Sequence, residues 1–406
     1  MNRRNPVSAS EDEIRVSLIL LSRLHQNGYK GLDPSLIKFH PRIRAFRDAL
    51  PTGYSGKLCH AAISRLVDLF SLPIATRLHV APVRLAKCVS LSALAWVSLF
   101  KRTGDGRFLT HGLELTEMLR EMSMDGGFLW SHGVPYAIRN EEVAATTPNL
   151  VTTFFALQAL LGAATASNRS DLLERFRACV ERAAACFPSV RAPEGHCFMY
   201  TPATTYHVHN ANLMMVQLMA QYWNTGGTGI GPEIAVSALR YSLRDFVRKS
   251  SIPYAGAPTV RLSEDNYHTG YVIRSLREIR HSEAFDACRS EIDEVLSFAV
   301  KRYWDLFCPK GHVVRDKTGK IHAHSLAEAL LIRKTCEWPP GADAERIDAA
   351  IERTQKRLWN RKEGRFNDSV TWIGGVPIAN MVDYPRWAQA WMAYALARPR
   401  GSREPL

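Results

Sequence analysis

The run TTPNLVTTFFALQALLGAA, residues 146–164, opens on polar groups at Thr146, Thr147 and Asn149 and then stays almost wholly apolar for four turns of helix. A helix that is apolar on most of its faces belongs inside a packed layer. The same grammar returns in VHNANLMMVQLMAQ (208–221), EDNYHTGYVIRSL (264–276), HAHSLAEALLI (322–332) and YPRWAQAWMAYALA (384–397). Taking Asn149, Asn210, His268, His324 and Arg386 as the helix starts, the separations are 61, 58, 56 and 62 residues, room for two helices and two loops per unit. Each unit continues into a more charged helix, such as RSEIDEVLSFAVKRYW (289–304). It returns through a short Gly-aromatic segment: DGGFLW (125–130), EGHCFMY (194–200), SIPYAG (251–256), PKGHVVRD (309–316) or KEGRFND (362–368).

A single helical hairpin cannot bury both faces of its inner helix, so the units must pack side by side. Five units, with the helices before residue 122 as a sixth, predict an all-α (α/α)6 toroid over residues 1–406 as one domain, with residues 1–10 and 399–406 as flexible ends. The inner-helix starts and the Gly-aromatic turns then face one end of the ring, where the site is expected.

Composition agrees with a packed globular chain: 46% of the residues are hydrophobic and 22% charged. The net charge of +13 is spread along the length and carries no zinc-finger spacing, RNP-like motif or base-reading helix, which argues against nucleic acid as a partner. The eight cysteines contain no C-x-x-C pair and read as reduced core thiols. The apolar stretch near the start is interrupted by Arg15, Ser17 and Arg23, so it fails as a signal peptide or anchor. A cytoplasmic location is expected.

The strings at 146–160, 208–221, 264–276, 322–332 and 384–397, in that order, resemble the VpsJ-type polysaccharide biosynthesis proteins of the squalene-cyclase-like α/α toroid superfamily. The resemblance covers roughly residues 125–397. It implies a fold related to those of glucuronyl C5-epimerases and several glycan lyases and hydrolases, and a role in exopolysaccharide or capsule-type biosynthesis. Two departures stand out. Where such proteins carry an H-S-C-A-Q-like string this chain has His324, Ser325, Leu326, Ala327 and Glu328, and the D-x-D-D acid motif of squalene-hopene cyclases is absent, which speaks against terpenoid cyclisation.

Four clusters are candidates for chemistry. Asp265, Asn266, Tyr267, His268 and Tyr271 crowd one helix start, where free N–H groups suit an anionic ligand. Asp265, Tyr267, His268, Tyr271 and, from the second cluster, His209 are the acid–base candidates. In that second cluster Tyr206, His207 and Asn210 are read as substrate contacts, as are His324 beside His322 in the third. The fourth, Tyr384, Arg386 and Trp387, offers a guanidinium fork for a carboxylate and an indole for a sugar face, whereas Trp391 is assigned to the core. Asn149 and Trp130 complete the binding set, within an aromatic lining that includes Tyr136, Tyr200 and Tyr254. Zinc is weighed for the histidine clusters, but H-x-H pairs without ligand spacing assign them to hydroxyl contacts, and no cofactor is expected.

The reaction these residues fit is abstraction of the C5 proton of a uronate within an acidic glycan, epimerase- or lyase-like. The alternatives are a glycoside hydrolase with paired carboxyls drawn from Asp265, Asp383, Glu328 and Asp368, and a scaffold that binds glycan or a lipid-linked intermediate beside membrane-bound glycosyltransferases.

Overall fold

The computed structural model describes residues 6–50, 59, 62–63, 67, 70–138, 141–192, 194–256, 264–309, 311–336 and 343–401. Residues 1–5 and 402–406, within the ends expected to be flexible, lie outside the described residues. Among the described residues twelve helices build a closed ring: α1 (Pro6–Gln26), α2 (Ala86–Thr103), α3 (Gly106–Glu121), α4 (Leu150–Ser167), α5 (Ser170–Cys186), α6 (His209–Asn224), α7 (Glu233–Lys249), α8 (Asn266–Ile279), α9 (Arg289–Phe307), α10 (Ala323–Thr335), α11 (Ala344–Leu358) and α12 (Gln389–Ala397). The even-numbered helices form the inner layer, each packed on the next, and α12 packs on α2 to complete the circle. The odd-numbered helices cover them from outside.

This is the (α/α)6 toroid that the spacing predicts, with one difference in its bookkeeping. The helices before residue 122 supply a whole hairpin, α2–α3, and also the outer helix of the last unit, because α1 packs on α12. The two layers differ as their sequences require. Inner helix α4 buries 15 of its 18 residues, whereas outer helix α5 buries a single face at Leu172, Phe176, Cys179, Val180 and Ala183. Helix α4 is long and apolar enough to cross a membrane, and in this ring its apolar surface is spent on its neighbours.

The loops at the inner-helix starts carry short antiparallel hairpins, among them Tyr136–Ile138 with Glu141–Val143 and Ser189–Ala192 with Gly195–Phe198. A repeated contact orders these loops. The first N–H groups of a helix have no partner within it, and in four of the inner helices the first of them is met by a carbonyl from the loop of the following unit. Leu150 donates to Tyr200 at 3.0 Å, His209 to Tyr254 at 3.2 Å, Asn266 to Arg315 at 2.8 Å and Ala323 to Asp368 at 2.9 Å. At the sixth junction side chains make the connection. Arg386, ahead of α12, donates through Nε to Asp33 at 2.8 Å. Gly31 lies so close to Pro385 that a Cβ there would stand 2.2 Å from the proline ring.

The opposite end of the ring is closed by one lysine. Lys334, in the last turn of α10, donates to the carbonyls of Ala395, Leu396 and Arg398 at 2.9, 3.1 and 2.9 Å, and to Glu13 of α1 at 3.0 Å. Arg102 of α2 adds bonds to Leu396 and Glu13. Two cations thus sit at the negative end of the α12 dipole. Substituting Lys334→Met strands Glu13 and three carbonyls, and we expect a loss of about 3 kcal/mol in denaturant unfolding. Lys356→Met removes a lysine whose side chain is 62% exposed; its expected cost is at most about 0.5 kcal/mol. Equal effects would contradict the closure role.

Candidate functional site

The shingled loops bring chemistry to the ring's centre. Asp265 caps α8, its Oδ1 accepting the His268 N–H at 3.0 Å, while its Oδ2 lies 2.7 Å from Nδ1 of the His268 imidazole. One carboxylate therefore starts the helix and orients the histidine. Burial pushes the Asp265 carboxyl up, but His268 and Arg315 outweigh it and hold it below its ordinary value. Nε2 of His268 has no partner among the described residues, and 22% of the side chain is exposed. The ring rests between Tyr254 and Tyr267, with centroids at 4.4 Å from each.

On the other side of Tyr267 lies His324, stacked on it at 4.5 Å and on Trp391 at 4.4 Å. Its Nε2 is 2.8 Å from the Tyr271 hydroxyl, which also accepts from Nζ of Lys87 at 3.2 Å. Lys87 enters from the second residue of α2 and lies over the Phe155, Tyr271 and Trp391 rings at 4.6, 5.3 and 5.2 Å. Burial, and then the positive charge of Arg386, hold its amine well below the ordinary lysine range. Burial likewise lowers His324 and raises Tyr271. Beneath them Arg274 makes a two-pronged pair with Glu328, both bonds 3.0 Å. Burial pushes the Glu328 carboxyl up to about 7 against the pull of Arg274.

A second wall stands beside this pair of histidines. Asn149 caps α4 and donates to the Tyr136 hydroxyl at 2.7 Å. His132 packs on Tyr136 at 4.5 Å, and Tyr136 on Tyr200 at 6.4 Å. Tyr206 packs against the hairpin that carries Tyr136. The rings of His132, Tyr200, Tyr254, Tyr267, His268 and Trp387 are all half-buried at this end of the ring. Trp387 stacks on the Arg386 guanidinium at 4.3 Å and lies 5.7 Å from His324.

Of the residues the sequence suggests, Asp265, Tyr267, His268, Tyr271, His324, Arg386 and Trp387 come together, with Asn149 and Tyr206 on the adjoining wall. Others have structural work instead. His209 is fully buried with both ring nitrogens engaged, Nδ1 by Ser242 at 3.0 Å and Nε2 by Asp245 at 2.9 Å, so it has no nitrogen left for a ligand. His207 pairs with the Tyr241 hydroxyl at 3.0 Å. Asn266 accepts from Tyr303 at 2.9 Å, whereas Asn210 is buried at the second position of α6 with its Oδ1 unpartnered among the described residues. The buried Trp130 donates its indole N–H to the Leu119 carbonyl at 2.7 Å, and Tyr384 belongs to a small core with Ile37, Val67 and Val382. Arg386 reaches the cluster, but Asp33 already shares its charge at 2.6 Å. The three histidine sites do not converge on one point, since His207 and His209 turn to Tyr241 and Asp245. Lys87, Arg274 and His132 are additions that the sequence reading missed. Lys87 and Glu328 share one signal, a charge among small and apolar neighbours of an inner helix, whereas Arg274 sits in a helix that also carries Arg277 and Glu278.

No family model matches the chain, and no curated protein sequence matches it. Solved structures of similar fold include a sugar epimerase from a ruminal bacterium, with 13% identity over 79% of this chain and 90% of that one and a TM-score of 0.57. Cellobiose 2-epimerase from Bacillus thermoamylovorans matches with 10% identity, coverage of 79% and 90%, and a TM-score of 0.52. A family 76 α-mannanase from Bacteroides thetaiotaomicron gives 10%, 77% and 85%, and 0.53. At such identities the likeness is one of fold.

The site makes a prediction about acid stability. Burial lowers the His322 pKa to about 4, with Asp368, 3.5 Å away, opposing. Below the ordinary histidine value of about 6.5 the unfolded chain binds a proton that the folded chain refuses, so this residue's contribution to stability falls as the pH drops. Between about pH 6.5 and 4 the wild type is expected to lose stability relative to His322→Gln. Parallel thermal-midpoint curves for the two proteins would rule this out.

Proposed function

We propose that the chain is a carbohydrate-active enzyme that moves a proton at a sugar carbon, with His268 and His324 as its acid–base groups. The observation that carries this reading is the Asp265–His268 pair. A histidine whose Nδ1–H is held by a carboxylate keeps its Nε2 lone pair for the substrate, and the carboxylate stabilises the imidazolium that forms. His324, joined to Tyr271 and through that hydroxyl to Lys87, forms a second proton-exchanging station beside Tyr267. A base on one side and a proton donor on the other suit epimerisation, and loss of a 4-linked group after the same abstraction is a lyase reaction.

The substrate assigned is a uronate-containing or otherwise acidic glycan. A proton next to a carboxylate is acidic enough to remove only when that carboxylate is neutralised. Arg315, over the Tyr267 ring, supplies positive charge beside the cluster, and Arg386 adds what its pairing with Asp33 leaves. The aromatic walls offer stacking faces for pyranose rings. The resemblance to VpsJ-type proteins supports a role for this activity in exopolysaccharide or capsule-type biosynthesis. Hydrolysis finds less support, because each carboxyl it would use stands beside a basic group: Glu328 with Arg274, Asp265 with His268, Asp368 with His322 and Asp383 with Arg23. The chemistry needs no cofactor.

The test is proton NMR in deuterated water with a panel of acidic and neutral polysaccharides. Deuterium is expected at C5 of uronate units, and Asp265→Asn, which keeps an oxygen for the helix cap, is expected to slow its entry by about 10²- to 10⁴-fold. New reducing ends with no deuterium at carbon would replace this reading by hydrolysis.

A further inference from the structure

Strands Ser369–Ile373 and Val376–Asn380 pair in register through a Gly374–Gly375 turn, both glycines at positive φ. Trp372, Ile373, Val376, Ile378 and Met381 are 37, 48, 61, 41 and 54% exposed. Five of the twelve large hydrophobic residues exposed among the described residues thus fall within ten consecutive positions. That concentration marks an interaction surface rather than scattered exposure. Neighbouring strand residues point to opposite faces, so Trp372 and Ile373 make both faces of this hairpin apolar. It stands off the ring as a blade, whereas a hairpin built to lie on its own core would have one polar face.

Its surroundings are positively charged. The first residues of the blade, Ser369 and Val370, pair with His322 and Ile321, next to a segment that carries Lys317 and Lys320. The Trp372 ring lies 6.1 Å from His312, and Arg353 and Arg357 of α11 are close enough to His312 to disfavour its proton. Of the acids nearby, Asp316 lies 3.5 Å from Arg315, Asp368 3.5 Å from His322 and Asp383 3.6 Å from Arg23, while Glu352 is paired with Lys356 at 2.7 Å.

We propose that hairpin 369–381 docks the protein onto an anionic lipid bilayer, the apolar blade entering the interface while Lys317, Lys320, Arg353 and Arg357 meet the phosphate headgroups. A bilayer covers both faces of a blade at once, which a flat partner surface does not. A second copy of the chain would bring an identical positive collar and be repelled, whereas anionic headgroups complement it. The blade begins one residue after Asp368, beside His322, so docking turns the cleft end of the ring towards the membrane. If the sugar reading holds, the substrate delivered there is a lipid-linked glycan; the docking itself does not depend on that reading.

The test is co-sedimentation of the full chain with vesicles of phosphatidylcholine alone, or of phosphatidylcholine and phosphatidylglycerol in equal parts. Binding is expected to the anionic vesicles, to fall steeply as salt is raised towards about 1 M, and to weaken roughly tenfold or more in Val376→Asp and in Lys317→Glu/Lys320→Glu. Circular dichroism checks that each variant is folded, and the salt response of the wild type stands without them. The proposal is overturned if the wild type ignores anionic vesicles, if binding survives both variants, or if the wild type is a dimer that Val376→Asp converts to monomer.

Discussion

Four of the six inner helices of this ring begin on a hydrogen bond to the loop of the next unit, and both the fold and the site depend on that staggered contact. An inner-helix start buried in the centre of a toroid cannot satisfy its N–H groups with water. The carbonyls of Tyr200, Tyr254, Arg315 and Asp368 supply the partners and, in doing so, fix where each loop lies. Tyr200 and Tyr254 line the cleft, Arg315 sits over the Tyr267 ring, and Asp368 stands beside His322. The bonds that start the helices are therefore also the ones that place the cleft's walls. Where the chain's two ends meet, the repeating bond is replaced by the Asp33–Arg386 ion pair, which explains why that arginine is not free as a ligand clamp.

The centre is held by charge in a setting where charge is expensive. A buried pair such as Arg274–Glu328 contributes less net stability than its geometry suggests, because both groups give up water. Its persistence beneath Tyr271, His324 and Lys87 fits a site in which the amine is kept short of protons and the hydroxyl stays protonated. Aromatic rings around Lys87 offer a partial substitute for the lost hydration. His268 differs from all of these in being open to solvent on one edge while Asp265 holds the other. That division separates the one group with an open edge from the buried groups around it.

Much of the architecture is legible in the sequence because the repeat is physical. A helix buried on every side has to be apolar nearly throughout, so five such runs at near-constant spacing reveal the inner layer. What spacing cannot show is that the outer partner of the last inner helix lies at the start of the chain, since that pairing is a ring closure with no local signal. The site is legible to the extent that polar residues at inner-helix starts share one end. Asp265, His268 and His324 follow from this rule. His209 obeys the same rule and fails, because its side chain turns outward to Asp245 on α7, and one residue of helical rotation decides between cleft and hairpin interface. Trp130 and Tyr384 fail for a related reason: aromatic residues in turns serve the core beneath those turns as readily as the cleft, Trp130 the main core and Tyr384 a small one.

The most direct test of the account is a crystal structure of His268→Gln with an acidic oligosaccharide bound. The account predicts a sugar ring in the cleft between the Tyr254 and Trp387 walls, with its reacting carbon within about 3.5 Å of residue 268 and positive side chains about its carboxylate. A sugar bound elsewhere, or one whose glycosidic oxygen rather than a ring carbon faces residue 268, would contradict it.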